Sequence, residues 1–115
     1  MRIGFIGNVN NNPYQIARKV KELGHEVIFI VTDLASNRLY RPEYFDQKVK
    51  YPYPDWIHVI EIKKINYYKR LYFPRIGYRP FIQLLNKCDA IVTNDFAHEI
   101  AYFTNKKIPI INLFS

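Results

Sequence analysis

Four asparagines follow the first apolar run of the chain, in the stretch IGFIGNVNNNP. They occupy the place where a dinucleotide-binding loop carries glycines. Asparagine tolerates left-handed backbone conformations and so can form the turn, and its amide group both donates and accepts hydrogen bonds. We therefore predict that Asn8, Asn10 and Asn11 contact a hydroxyl-rich ligand such as a sugar. Turn formation alone is the alternative for Asn8 and Asn10, and capping of the following helix is favoured for Asn12.

A second group of polar residues follows a later apolar run, in the stretch TNDFAHEI. A carboxylate and an imidazole at such a position can deprotonate a hydroxyl group or stabilise a developing charge. We therefore predict that Asp95 and His98 handle a proton and that Asn94 contacts the ligand. The alternative is that Asn94 or Asp95 caps the next helix and that His98 is simply exposed on its first turn.

A third feature is the segment KKINYYKRLYFPRIGYRPF, which is rich in cations and aromatic residues and contains no acid. Such a surface is typical of contact with a membrane interface or a lipid-linked phosphate, and it can also stack the bases of a nucleic acid. The remaining interpretation is a solvated basic face whose aromatic residues partly fill the core or an interface with a region absent from this sequence. No known nucleic-acid-binding module accompanies the segment, so nucleic acid is an unlikely partner. The cations are Lys63, Lys64, Lys69, Arg70, Arg75 and Arg79.

Other reactive residue types give no further site. One cysteine, Cys88, excludes an internal disulfide, and with three scattered histidines it does not provide a zinc-ligand pattern, so we predict no metal. Gly4 and Gly7 are followed by no glycine before Gly24, so the pattern for a nicotinamide or flavin cofactor is weak. No nucleophile elbow surrounds Ser115. We predict no cofactor in this chain.

The long segment 32–55 is predicted to be mostly loop, with one helical turn near 43–47. A loop of this length in a compact domain is more often functional than idle. Its aromatic residues can stack on sugar rings or pack down on the sheet, and both interpretations are open. The aromatic residues concerned are Tyr40, Tyr44, Tyr51 and Tyr53 of this segment, together with Trp56, which follows it.

Short apolar runs alternate with helical patterns along the chain. Runs at 2–6, 27–31, 57–62, 90–93 and 108–114 predict strands buried on both faces. Between them, a helix capped by Asn12 and ended by Gly24, a helix over 80–86 and a helix over 96–104 are predicted. In the first helix, Ile16, Ala17, Val20 and Leu23 are expected to face inward. This alternation predicts an α/β fold, a Rossmann-like doubly wound parallel sheet of about five strands in the order 3-2-1-4-5.

The bulk composition fits one domain over residues 1–115. Its formal net charge of +7 is expected to attract anions. No signal peptide and no run of roughly 20 apolar residues is present, so a cytoplasmic protein is expected, with peripheral contact at the inner membrane face as an open interpretation. Because the last strand has no helix after it, the chain is expected to be part of a longer domain.

Three stretches together resemble the N-terminal half of a glycosyltransferase of the GT-B type, which has two Rossmann-like domains. They are MRIGFIGNVNNNPYQIARKVKELGHEVIFIVTD, RPEYFDQKVKYPYPDWIHVIEI and CDAIVTNDFAHEIAYFTNKKIPIINLFS. The resemblance covers nearly the whole chain as a pattern. Its separate motifs are a Gly-Asn loop, a KELGHEV join between helix and strand, and a DAIVTN strand end.

The resemblance implies that this domain binds a sugar or lipid-linked acceptor, while a nucleotide-sugar donor binds mainly a second, C-terminal domain absent from this sequence. The 115 residues alone are then not expected to catalyse transfer. A non-catalytic Rossmann-like or flavodoxin-like binding module, or one subunit of a split glycosyltransferase, is the alternative. A receiver domain is disfavoured because Asn residues stand where its acidic cluster would follow the first strand.

Overall fold

The computed structural model describes residues 1–7, 12–32, 53–60, 65–94 and 98–113. The strands within these ranges are β1 (Arg2–Ile6), β2 (Glu26–Thr32), β3 (Ile57–Ile60), β4 (Ala90–Asn94) and β5 (Ile110–Leu113). The helices are α1 (Asn12–Glu22), α2 (Tyr67–Tyr72), α3 (Pro74–Gly77), α4 (Arg79–Leu85) and α5 (His98–Ala101).

The five strands form one sheet in the order β3-β2-β1-β4-β5, and every neighbouring pair is parallel. The register aligns Phe5 of β1 with Phe29 of β2 and with Val92 of β4. The predicted Rossmann-like sheet and its strand order are therefore confirmed.

Alternate residues along each strand point to opposite faces of the sheet, so the runs of apolar residues supply two cores. One core contains Phe5, Phe29 and Ile57 from the strands and Tyr14 and Ala17 from α1. Helix α1 therefore covers this face.

The second core lies on the other face of the sheet. Ile6, Ile30 and Ile91 from the strands pack there with Leu85 of α4 and Ile100 of α5. The sheet thus has helices on both faces, as a parallel sheet requires.

An aromatic cluster lies at the centre of the α1 face. The ring of Tyr14 stacks on that of Trp56, with centroids 6.1 Å apart, and meets Phe29 edge-on at 5.6 Å. Tyr53 is also packed against this core. Tyr53 and Trp56 therefore pack down on the sheet. For these two residues, packing on the sheet is the correct interpretation. The corresponding predictions for Tyr40, Tyr44 and Tyr51 lie outside the described residues.

The inward face of α1 differs from its predicted composition. Ile16 is 44% exposed and Leu23 is 77% exposed, whereas Tyr14 is fully buried. The prediction was wrong for Ile16 and Leu23 because the large ring of Tyr14 fills the space over Phe29, which sets the rotation of the helix.

Several element bounds also differ from the predicted ones. Helices α2 and α3 lie in the basic segment, for which no helix was predicted. Strand β5 begins at Ile110 rather than at 108, because Ile108 packs against the core beneath α4 and α5 instead of joining the ladder. Within the described residues, the last helix is His98–Ala101, shorter than the predicted 96–104. The predicted turn at 43–47 lies outside those residues.

Among the described strands, β5 lies at one edge of the sheet and pairs with β4. Ile110 is 37% exposed and Ile111 is 54% exposed, although successive strand residues point to opposite faces. Both sides of this edge strand therefore present apolar surface to solvent.

We expect acid to weaken the fold through His58, which lies half-buried on β3. Burial lowers the pKa of His58 below 6.5, although Asp55 acts in the opposite direction. As pH falls through about 6.5, the unfolded chain takes up this proton before the folded chain does, so the free energy of unfolding decreases until the lowered folded pKa is passed. Urea unfolding across this pH window is expected to show the decrease in the native chain.

The variant His58→Gln is expected to lose that part of the pH dependence. His25→Gln, at an exposed histidine, is the matched control and keeps it. If the free energy of unfolding of His58→Gln decreased with falling pH as it does in the native chain, this pH dependence could not be assigned to His58.

Candidate functional site

The sheet reverses its winding direction between β1 and β4. From β1 the chain builds β2 and β3 on one side, and it then returns to build β4 and β5 on the other. In open parallel sheets, ligands bind outside the carboxyl ends of the two strands at such a switch point. Here these ends are Ile6 in β1 and Asn94 in β4, and residues 6 and 93 are direct neighbours in the ladder. This edge is the candidate functional site.

Gly7 directs the chain out of β1 at this edge. Its φ is 93°, a left-handed conformation that glycine adopts without steric cost. Its N–H donates a hydrogen bond to the carbonyl oxygen of Ile30 at 3.0 Å, so the exit point is tied to β2. The loop that carries the predicted ligand residues therefore starts from a fixed position at the carboxyl edge.

Thr93 is a polar residue in the site that the sequence analysis did not select. Its side chain is fully buried, and its Oγ1 has no hydrogen-bond partner in the described part of the chain. A buried hydroxyl without a partner costs about 1–3 kcal/mol. Thr93 is level with Ile6 of β1 and Asn112 of β5. Its hydroxyl is thus a donor and acceptor next to the switch point.

The predicted ligand and proton-handling residues follow the two strands of the switch point in sequence. Asn94 is the last residue of β4, and His98 is the first residue of α5. The other four lie outside the described residues, namely Asn8, Asn10, Asn11 and Asp95. The structure therefore brings the starts of the two loops to one edge, and the contacts of their side chains stay a prediction.

The cations of the basic segment lie on consecutive helices between the end of β3 and the start of β4. Lys69 in α2, Arg75 in α3 and Arg79 in α4 are exposed. Arg70 also belongs to α2, and the predictions for Lys63 and Lys64 lie outside the described residues. The basic face predicted from sequence is thus present at its three described side chains.

The aromatic residues of this segment divide into two groups. Tyr78 and Phe81 pack against the core, whereas Tyr68, Tyr72 and Phe73 are more than half exposed. The prediction that these aromatic residues partly fill the core is therefore confirmed by the first group, and whether the second group meets an interface stays a prediction.

The described ranges offer neither a metal site nor a reactive thiol. In them, no group of three or more His, Cys, Asp or Glu residues is placed to hold a metal ion. Cys88 is buried, and burial raises the pKa of its thiol to about 11, so little nucleophilic thiolate forms near neutral pH. None of the helices in these ranges is long and apolar enough to cross a membrane.

Comparisons with known proteins add no assignment. No family model matches the chain, and searches of curated proteins and of solved structures gave no match. The class of protein is thus defined by the five-stranded all-parallel sheet of order 3-2-1-4-5 and by its switch point.

Proposed function

We propose that the chain is the acceptor-binding domain of a GT-B type glycosyltransferase, which transfers a sugar from a nucleotide sugar to a glycan or lipid-linked acceptor. The switch point between β1 and β4 carries the proposal. It joins at one edge the loop after Gly7, which is rich in asparagine, and the loop after Asn94, which contains an acid and precedes a histidine.

The residue types at this edge favour hydroxyl groups over a pyrophosphate. A dinucleotide needs glycines that let the backbone approach its phosphates, and after Gly7 the next glycine is Gly24, at the far end of α1. Side-chain amides instead offer paired donors and acceptors, which match sugar hydroxyls.

The proposed roles follow the order of the loops. Asn8, Asn10, Asn11 and Asn94 bind the acceptor. Asp95 or His98 takes the proton from the acceptor hydroxyl as its oxygen bonds to the anomeric carbon of the donor sugar, while the bond from that carbon to the donor phosphate breaks and the nucleotide leaves with the electron pair. The donor binds mainly a second domain or a partner subunit, so this chain by itself binds acceptor without turnover.

A test is saccharide binding by the 115-residue chain on an array of neutral oligosaccharides and polyprenyl-phosphate-linked sugars. We expect the double variant Asn8→Ala/Asn10→Ala to weaken binding of the best saccharide roughly 10- to 30-fold, because each lost hydrogen-bonding amide contributes about 1 kcal/mol. Gln83→Ala removes an exposed amide from α4 and is the matched control for the neutral oligosaccharides, with unchanged affinity for them expected.

Two outcomes would contradict the proposal. Retention of no saccharide on the array would remove the acceptor role. Tighter binding of NAD than of any saccharide would instead assign a dinucleotide to the edge.

A second candidate, one subunit of a split glycosyltransferase, is favoured by the exposed Ile110 and Ile111 of β5. An edge strand with exposed apolar side chains can pair with a strand of a partner protein. The same saccharide array applies, since this candidate also binds acceptor. It differs in requiring a separate protein for nucleotide-sugar turnover, and turnover by a single polypeptide containing this chain would exclude it.

A further inference from the structure

Helix α2 directs its apolar side chains toward solvent. Tyr68, Leu71 and Tyr72 are spaced i, i+3, i+4 and so share one side of the helix. They are 68%, 52% and 67% exposed. The rings of Tyr68 and Tyr72 stack with centroids 6.4 Å apart. In most globular proteins a side with this spacing faces the core, so its exposure requires an explanation.

The first turn of the helix is stabilised by its own cap. The Oδ1 of Asn66 accepts hydrogen bonds from the backbone N–H groups of Tyr68 at 2.9 Å and Lys69 at 3.4 Å. This cap satisfies donors that the first turn leaves open. The exposed side chains therefore belong to a helix with a capped N-terminus.

The apolar surface continues past the end of α2. Phe73 is 59% exposed, and Ile76 in α3 is 55% exposed. We call these five side chains and the nearby cations the α2–α3 surface. Its members are Tyr68, Lys69, Leu71, Tyr72, Phe73, Arg75, Ile76 and Arg79.

The charge of this region has one sign. Residues 63–88 contain no Asp or Glu, and their cations are Lys63, Lys64, Lys69, Arg70, Arg75, Arg79 and Lys87. Among the residues that the structure describes, Arg2 pairs with Glu26 and Lys19 with Glu22, whereas no such partner is seen for Lys69, Arg75 or Arg79. The cations of this surface are therefore available to bind an anion from outside the chain.

A cleft lies next to the exposed apolar residues. Its volume is about 540 Å³, and its lining includes Arg75, Ile76, Arg79, Gln83 and Phe103. The guanidinium carbon of Arg75 lies 5.6 Å from the centroid of the Phe103 ring, a cation–π contact that holds the arginine over the cleft. Two guanidinium groups at one cleft suit a phosphate.

We propose that the α2–α3 surface docks on an anionic phospholipid bilayer. Tyr68, Tyr72 and Phe73 enter the interface with the aliphatic side chains of Leu71 and Ile76, and the cations contact lipid phosphates. Aromatic rings at headgroup level beside Lys and Arg are the combination that binds this interface. The proposal does not depend on the function proposed for the carboxyl edge.

A bilayer fits this surface better than a nucleic acid does. Base stacking needs free aromatic faces along a cationic groove. Here Tyr68 and Tyr72 stack on each other, and Leu71 and Ile76 offer aliphatic surface that bases do not require.

The test is cosedimentation of the 115-residue chain with two kinds of vesicle, one of phosphatidylcholine alone and one of phosphatidylcholine mixed with phosphatidylglycerol. Binding is expected only to the mixed vesicles and is expected to weaken with added salt. Arg75→Gln/Arg79→Gln is expected to lower the partition coefficient roughly 20-fold, since each cation near an anionic surface contributes about a 5-fold factor. Leu71→Ser/Phe73→Ser is expected to lower it at least as far.

Matched variants control for charge and for exposed apolar area. Lys106→Gln/Lys107→Gln removes the same charge from the turn before β5, and Leu23→Ser removes an apolar side chain that is 77% exposed. Both are expected to bind like the native chain, and circular dichroism checks that every variant is folded.

The proposal is overturned if the chain sediments with neither kind of vesicle, or equally with both. It is also overturned if the lysine pair weakens binding as much as the arginine pair. Binding of a single-stranded oligonucleotide in place of vesicles would reassign the surface to nucleic acid. Saccharide binding is measured without vesicles, so either proposal can fail while the other stands.

Discussion

Replacing Phe29 with alanine is expected to lower the free energy of unfolding by about 3–5 kcal/mol. Phe29 is fully buried at the centre of β2. Its ring centroid lies 6.1 Å from that of Phe5, 5.6 Å from Tyr14 and 6.2 Å from Trp56. Truncation therefore removes the ring that three other rings contact and leaves a cavity between α1 and the sheet.

Urea unfolding followed by tryptophan fluorescence measures this effect, because Trp56 is the single tryptophan and contacts Phe29 directly. Phe73→Ala is the matched control: the same atoms are removed from a side chain that is 59% exposed, and a change within about 0.5 kcal/mol is expected. Equal losses in the two variants would mean that the aromatic cluster does not form the core.

The variant Gly4→Ala is expected to destabilise the fold by about 1–3 kcal/mol. A Cβ atom at residue 4 would lie 2.9 Å from the Sγ of Cys88 and 2.9 Å from the Cδ2 of Leu85. Both of these side chains are buried, so they have little room to withdraw. The absence of a side chain at residue 4 thus lets α4 and the turn after it pack directly on β1.

Thermal or urea unfolding of a double-mutant cycle tests this mechanism. Cys88→Ala removes one of the two close contacts, so it is expected to recover part of the cost of Gly4→Ala. Gly24→Ala is the control. Its φ of +96° strains any other residue, but no atom lies within 4 Å of the added Cβ, so Cys88→Ala is not expected to relieve it. A cost at Gly4 that is independent of Cys88 would argue against the contact.

Much of the sheet could be predicted from sequence because each strand is marked by the residue types of its own short segment. The bounds of β1 were predicted without error, and the strand order followed from the alternation of apolar runs and helical patterns. Each central strand is buried on both faces, so it appears as one continuous apolar run.

Helices α2 and α3 could not be predicted by the same reasoning. Hydrophobic periodicity identifies a helix by the side that it buries. The apolar residues of α2 are exposed, and they alternate with cations that make the segment resemble a solvated basic stretch. The cap at Asn66 was the local signal available, and it lies just before a sequence without acids or strong periodicity.

The candidate site could be predicted only to the level of its edge. The ends of β1 and β4 follow from strand order, and the polar residues after them could be read directly. Thr93 opens the stretch TNDFAHEI and was given no role of its own, because the sequence does not show that this hydroxyl is fully buried and lacks a hydrogen-bond partner among the described residues. Side-chain geometry in loops depends on contacts distant in sequence, which single-sequence patterns do not contain.

The exposed edge of β5 also governs how this chain behaves at high concentration. An edge strand offers backbone hydrogen-bonding groups to a strand of another molecule. Burial of apolar side chains such as Ile110 and Ile111 would stabilise that pairing. Two features next to the strand oppose it. Pro109 has no N–H to donate, and the exposed Lys106 and Lys107 repel a second copy of the same edge. Amyloid-like stacking through β5 is therefore restrained by like charge, and high salt weakens that restraint.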